Sequence, residues 1–297
     1  MKQLRGIIPA LLTAVHEDGS INDDGIREII ENGIQNGIGG IFALGSCGEF
    51  TAYTLEEKAH ILDVIMEQTA GRVPVVAGCG APSTREVLRL CKMAESKKAD
   101  YAAVVTPYYI APTQDDIYEH YRIISENCSL PILLYNIPPR TGLCISPELL
   151  GRLKELPNIA GIKDSSGDLE LFRQYMTYNS EDFQVIMGID GLFLDAFKLG
   201  AAAAVSGPAN ALPGNQVGIY RNFVEGNLKE AERYQAKFMK FKKVLGLAPG
   251  PTIAKEAANI VGLHAGPPVS PLRRPSGEVW EQLNAVLHEE FADCFVK

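Results

Sequence analysis

Residues 158–166 read Asn158-Ile159-Ala160-Gly161-Ile162-Lys163-Asp164-Ser165-Ser166, a short apolar run that stops on a lysine and then turns polar. The apolar residues are successive rather than alternating. Parallel strands buried on both faces carry that pattern. It recurs at residues 7–12, 40–44, 73–77, 101–105, 132–135, 184–187 and 203–206. Between these runs, amphipathic spacing predicts helices over 23–35, 55–70, 83–97, 114–127, 146–156, 168–178 and 191–199. Thr54 ahead of Leu55-Glu56-Glu57 makes a capping-box pattern, and Ser146-Pro147-Glu148 puts proline at the first helical position. Eight strands alternating with helices fit a closed (β/α)8 barrel, the TIM barrel of the α/β class, better than an open doubly wound sheet.

After the eighth strand come residues 213–225 and then helix patterns near 228–245, 252–261 and 278–295. These exceed what one closing helix needs. The expected organisation is a catalytic barrel over 1–225 and a C-terminal helical extension over 226–297 packed on it. Residues 246–251 and 266–275 are the Gly/Pro-rich breaks of that extension.

Composition narrows the classes of function. Of the 297 residues, 46% are hydrophobic, enough for a sizeable core. A net charge of -8 leaves no basic footprint for nucleic acid. No apolar stretch is long enough to span a membrane. The six cysteines form no CxxC pair. With a strand-like run starting at Gly6 and no signal peptide ahead of it, they read as free thiols in a reducing cytoplasm. The five histidines are scattered without ligand spacing or a companion carboxylate cluster, so no metal cofactor is expected.

In such a barrel the active site lies at the carboxyl ends of the strands. Those ends bring Thr13, Gly45-Ser46-Cys47-Gly48-Glu49, Cys79-Gly80, Thr106-Pro107-Tyr108-Tyr109, Tyr135-Asn136, Lys163-Asp164-Ser165, Gly188-Ile189-Asp190 and Ser206-Gly207 to one rim. A lysine at its reference pKa of about 10.4 is protonated and a poor nucleophile. Burial can lower that value by several units, and the free amine can then attack a ketone to form a Schiff base. From its own run, Lys163 reads equally well as a strand cap solvated at its tip. Tyr135 ends the neighbouring strand, where a phenol could shuttle protons for the amine or simply plug the barrel. The Gly45–Glu49 turn could hold a carboxylate on backbone N–H groups, or be only a tight turn that needs glycine. Arg140, in the proline-bounded turn Pro138-Pro139-Arg140-Thr141-Gly142, suits a second carboxylate or is a surface arginine.

Three of these segments carry a resemblance. Gly45-Ser46-Cys47-Gly48-Glu49, Tyr135-Asn136-Ile137-Pro138-Pro139-Arg140-Thr141-Gly142 and Gly161-Ile162-Lys163-Asp164 resemble the dihydrodipicolinate synthase / N-acetylneuraminate lyase family, over nearly the whole chain. The resemblance implies a barrel with a helical extension, usually a homotetramer (a dimer of dimers). It implies a lyase with a Schiff base between Lys163 and pyruvate or another 2-keto acid, and no further cofactor. Tyr135 would be the proton-relay phenol, with Ser46 linked to it and Tyr109 completing the relay across a subunit interface. Ser46 and Cys47 would bind the keto-acid carboxylate, and Gly188 and Val205 would shape the pocket. Ser165 and Asp190 stand at the same rim as further substrate-binding candidates.

Within the family the signals divide. Arg140 matches the synthases, which join pyruvate to aspartate semialdehyde. Gly191 stands where sialic-acid lyases carry an acid. Phe50 after Glu49, and the stretch from Gly188 to Phe193, look like the aldolases of keto-sugar acids and 4-hydroxy-2-oxoglutarate. Pro82 replaces an asparagine of the lysine-inhibited synthases. Cys47 replaces a common threonine, and a thiol is a weaker donor than a hydroxyl. The expected function is therefore a synthase-like condensation of pyruvate. A retro-aldol lyase is the alternative, and a non-catalytic ligand-binding barrel is the alternative of another class.

Overall fold

The strands are β1 (Gly6–Pro9), β2 (Ile41–Ala43), β3 (Val75–Gly78), β4 (Tyr101–Val105), β5 (Ile132–Asn136), β6 (Ile159–Asp164), β7 (Gln184–Met187) and β8 (Ala203–Ser206). This is a computed structural model, and it describes residues 3–296. The strands form one parallel sheet in the order β1-β8-β7-β6-β5-β4-β3-β2. A parallel bridge between Ala10 and Phe42 brings the two ends together, and the Leu11 N–H donates to the Phe42 carbonyl at 2.9 Å. Eight parallel strands thus close into a TIM barrel, as the successive apolar runs predict.

The helices follow the strands: α1 (Asp23–Gln35), α2 (Leu55–Thr69), α3 (Thr84–Ser96), α4 (Gln114–Asn127), α5 (Pro138–Thr141), α6 (Pro147–Lys154), α7 (Leu169–Met176), α8 (Phe193–Lys198) and α9 (Pro213–Val224). The next three are α10 (Leu228–Leu245), α11 (Gly250–Ile260) and α12 (Gly277–Glu290). They pack on one another, and α10 packs along α9. Residues 1, 2 and 297 of the two expected spans lie outside the described residues. Among the described residues no helix is long and apolar enough to cross a membrane.

The helix starts have local causes. Thr54 accepts from the Glu57 N–H while the Glu57 carboxylate accepts from the Thr54 N–H, which closes the capping box of α2. Thr113 and Asp116 do the same for α4. Ser146 caps α6 ahead of Pro147.

Several boundaries differ from the expected ones, for backbone reasons. β1 stops at Pro9 rather than at 12: the Ala10 N–H still donates to the Ser206 carbonyl of β8, but beyond it Leu11 bonds Phe42 and Leu12 bonds the Asn210 side chain. β3 begins at Val75, after Pro74, which has no N–H to give. The turn at 138–142 is a one-turn helix that ends on Gly142 with φ of 71°. The expected helix at 191–199 is a 3-10 turn over Asp190–Leu192 followed by α8. Gly250 and Pro251 do not break the chain but start α11, where proline loses no helical bond.

Side chains divide between two cores. Ile8, Phe42, Val76, Leu133, Tyr135 and Val205 fill the barrel, while Ile132, Leu134 and Ile162 pack outward against the helices. The β5–β6 register slips between Ile132 and Leu133: Ile132 pairs with Ile159 but Leu133 pairs with Gly161. A side chain at Gly161 would strike the Gln184 carbonyl at 2.2 Å, so glycine is required at the slip. Beyond it Lys163 stands beside inward-facing Tyr135.

Candidate active site

The strand ends surround a cavity of about 350 Å³. Its lining includes Ser46, Cys47, Tyr135, Arg140, Lys163, Ser165, Gly188, Asp190 and Val205. Of the catalytic and substrate-binding candidates from the sequence, all but Tyr109 line it.

Lys163 is 4% exposed. Its Nζ lies 3.8 Å from the centre of the Tyr135 ring and 4.5 Å from that of Phe42. The two rings meet edge to face at 5.9 Å. The amine thus rests against aromatic faces, and no hydrogen bond or ion pair is made by it among the described residues. The sequence suggests an amine beside a phenol hydroxyl; the folded chain presents the ring. Room for the lysine stem comes from Gly188. A Cβ there would fall 2.1 Å from the Ser165 hydroxyl and 3.0 Å from the Lys163 Cε.

The Gly45–Glu49 turn lies beside the amine. Among the described residues, the backbone N–H groups of Ser46, Cys47 and Gly48 donate to no protein acceptor. Such free donors on a turn suit an anion. A side chain at Gly48 would come within 2.8 Å of the Leu11 carbonyl, and the Thr13 hydroxyl donates to the Gly48 carbonyl at 3.0 Å. Glu49 follows in left-handed backbone, φ 52°, and turns its carboxylate inward. Lys255 of α11, fully buried, puts its Nζ 2.6 Å from Glu49 Oε2. The contact is charge against charge rather than a well-aligned hydrogen bond. Glu49 Oε1 accepts from the Val269 N–H at 2.8 Å, and Lys255 donates to the Pro267 carbonyl at 2.9 Å. Burial pulls the Lys255 ammonium below its usual pKa, against the opposing pull of Glu49.

Cys47 points toward Gly207, where a Cβ would be 2.9 Å from its sulfur. Burial pushes the thiol pKa up, more than Lys163 and Arg140 pull it down. It stays a thiol at neutral pH and supplies no nucleophile. Arg140 reaches the mouth from α5. Tyr109 is 93% exposed at φ 79° and does not line its own chain's cavity. Its neighbour Tyr108 packs edge-on against Phe50 instead, at 6.4 Å. Ser46 and Tyr135 both line the cavity without a hydrogen bond between them. Among the described residues no group of three or more His, Cys, Asp and Glu side chains could hold a metal ion.

The dihydrodipicolinate synthetase family model matches residues 3–290. The chain belongs to this family. It is 35% identical over 285 residues to the 4-hydroxy-tetrahydrodipicolinate synthase of Methanoculleus marisnigri, covering 95% of this chain and 98% of that one. It is 32% identical over 287 residues to the synthase of Methanopyrus kandleri, covering 96% of each. Among solved structures, a chloride-inhibited dihydrodipicolinate synthase from Acinetobacter baumannii, complexed with pyruvate, superposes with a TM-score of 0.93 at 32% identity, covering 97% of this chain and 99% of that one. As a member of the dihydrodipicolinate synthetase family, the chain is a lyase.

Four residues of this member's site escape a reading of the sequence. Phe42 is one apolar residue within a strand-like run. Gln216, Lys242 and Lys255 lie on helices, in no motif with the rim. Gln216 matters through Asp190, whose Oδ1 accepts from both the Gln216 amide and the Ser206 hydroxyl. Burial pushes Asp190 from an ordinary 3.8 up to about 6, against those two donors. An acid whose folded pKa is raised adds stability below its ordinary value and loses it as pH rises through the folded one. Stability should therefore fall between about pH 4 and 6 on this account. Asp190→Asn should flatten that stretch of a urea-midpoint against pH curve; an unchanged slope would contradict the assignment.

Proposed function

We propose that the chain joins pyruvate to aspartate semialdehyde, as a 4-hydroxy-tetrahydrodipicolinate synthase, through an imine on Lys163. The observation that carries this is the buried, unpaired Lys163 amine beside the free N–H groups of Ser46 and Cys47. The pyruvate carboxylate would sit on that turn, which puts its ketone carbon over the amine. The Lys163 nitrogen adds to the ketone, water leaves, and an imine forms. Loss of a methyl proton gives an enamine, whose carbon attacks the aldehyde of the second substrate. The amino group of the added aspartate semialdehyde then attacks the imine carbon, closing the ring as the carbon–nitrogen bond to Lys163 breaks and the lysine amine is freed. Tyr135 and Ser46 move the protons, and Gly188, Val205 and Ser165 shape the pocket around the imine. Asp190 and Arg140 meet the second substrate.

In this reading the protein works in the cytoplasm as a homotetramer, a dimer of dimers, with no added cofactor. Tyr109, exposed on one copy, would enter the relay of a second. The barrel over 1–225 and the extension over 226–297 act together, since Glu49 of one meets Lys255 of the other.

Phe50 favours one alternative. Packed on Tyr108 beside the Ser46 turn, it suits an aldolase that cleaves 4-hydroxy-2-oxoglutarate by the same imine in reverse. A ligand-binding barrel without catalysis has no use for an amine held free of partners. A coupled assay separates the enzymes. Pyruvate with aspartate semialdehyde should give the highest kcat/KM, against cleavage of 4-hydroxy-2-oxoglutarate and of 2-keto-3-deoxy sugar acids. Preferred cleavage of either would overturn the synthase.

A further inference from the structure

We infer that Lys242 of α10 is a specificity-determining residue that reads a carboxylate on the substrate meeting the Lys163 imine. The inference rests on the Schiff-base reading above and deepens it, because it concerns the second substrate alone.

Lys242 lines the same cavity as Lys163 and Arg140. Its ammonium lies over Gly191: a Cβ on Gly191 would come 2.7 Å from Lys242 Nζ. The absence of a side chain at Gly191 is what lets the cation occupy that wall. Its helix neighbours behave differently. Lys237 pairs with Asp293 at 2.8 Å and Lys240 with Glu290 at 2.7 Å. Among the described residues neither Lys242 nor Arg140 has an ion-pair partner. Among the described residues the single acid lining the cavity is Asp190, whose Oδ1 is already held by Ser206 and Gln216.

The protein as a whole carries a charge of -8, yet this cavity gathers Lys163, Arg140 and Lys242 against one carboxylate. Cations concentrated in a cleft draw in anions and speed their capture. The turn at Ser46 and Cys47 accounts for the keto-acid carboxylate. Two unpaired cations at the mouth remain, and they fit an aldehyde that itself bears a carboxylate. Lys242 acts on that charge and takes no part in forming the imine.

The test compares an aldehyde anion with a neutral aldehyde of similar length. Succinate semialdehyde and butanal are each offered with saturating pyruvate to the wild type, Lys242→Gln, Lys242→Arg and Gly191→Ala. Lys242→Gln should lower kcat/KM for succinate semialdehyde about tenfold and leave butanal unchanged. It should also weaken the dependence of the anion's kcat/KM on salt, since a rim charge acts through screened attraction. Lys242→Arg should keep most of the preference. Gly191→Ala, which displaces the ammonium but keeps its charge, should fall between. Equal anion-to-neutral ratios in wild type and Lys242→Gln would overturn the inference. Borohydride trapping of pyruvate is run on each protein. A Lys163 adduct of normal yield in Lys242→Gln keeps this result separate from the Schiff-base reading, which fails only if the wild type gives no adduct.

Discussion

Lys163→Ala should leave a folded barrel that no longer turns over. The Lys163 amine is buried at the floor of the cavity beside the free N–H groups of the Ser46 turn, and a covalent route has no substitute once its nucleophile is gone. Activity should fall by roughly 10³-fold or more. The fold should survive because of where the side chain lies. Lys163 pairs with no carboxylate and lies on the Tyr135 and Phe42 rings, a contact worth about 0.5–2 kcal/mol. Its removal widens a cavity that already opens to solvent, so no sealed void forms. Near-wild-type circular dichroism and a urea midpoint close to the parent's should accompany the loss of turnover. Retained activity would remove Lys163 from the mechanism.

The largest expected loss of stability comes from Lys255→Met. It strands the Glu49 carboxylate, 7% exposed, which among the described residues is then left with the Val269 N–H as its hydrogen-bond partner. Removing one member of a buried ion pair costs about 3–5 kcal/mol, because the other charge remains buried and uncompensated. Replacing both charges is far cheaper, since the desolvation of each disappears with it. The double variant Glu49→Gln/Lys255→Met should therefore recover most of the lost stability. The effect should also reach the site. Glu49 ends the turn whose free N–H groups face the cavity, and its carboxylate ties that turn to α11 and to Val269. A slackened turn should raise the KM for pyruvate in the single variant while the Lys163 imine still forms. Urea denaturation of both single variants and the double variant checks the coupling. Strictly additive losses would show that the two side chains do not support each other.

The fold could be read because parallel strands buried on both faces need successive apolar residues, and this chain repeats that signal eight times. The rim could be read because strands of a barrel all end at one side, which places Tyr135, Lys163 and the Gly45–Glu49 turn together. Proline at the start and glycine at the end of the segment 138–142 also announce its short helix, a signal that a turn assignment passes over. What could not be read depends on distant partners. The slip at Gly161 sets which way Lys163 faces, and only the neighbouring Gln184 carbonyl shows why glycine is needed there. Lys255 and Glu49 lie far apart in sequence, and neither belongs to a pattern that names the other. Lys242 is one of several lysines on the polar side of α10. Only the space above Gly191 separates it from Lys237 and Lys240.

The synthase chemistry stands or falls on Lys163 as the nucleophile. Incubating the full chain with pyruvate and borohydride, followed by peptide mass analysis, tests it most directly. A reduced pyruvate adduct should appear on the peptide that carries Lys163, and none should appear in Lys163→Ala. A well-folded wild type with no adduct, or with the adduct on another lysine, would contradict it.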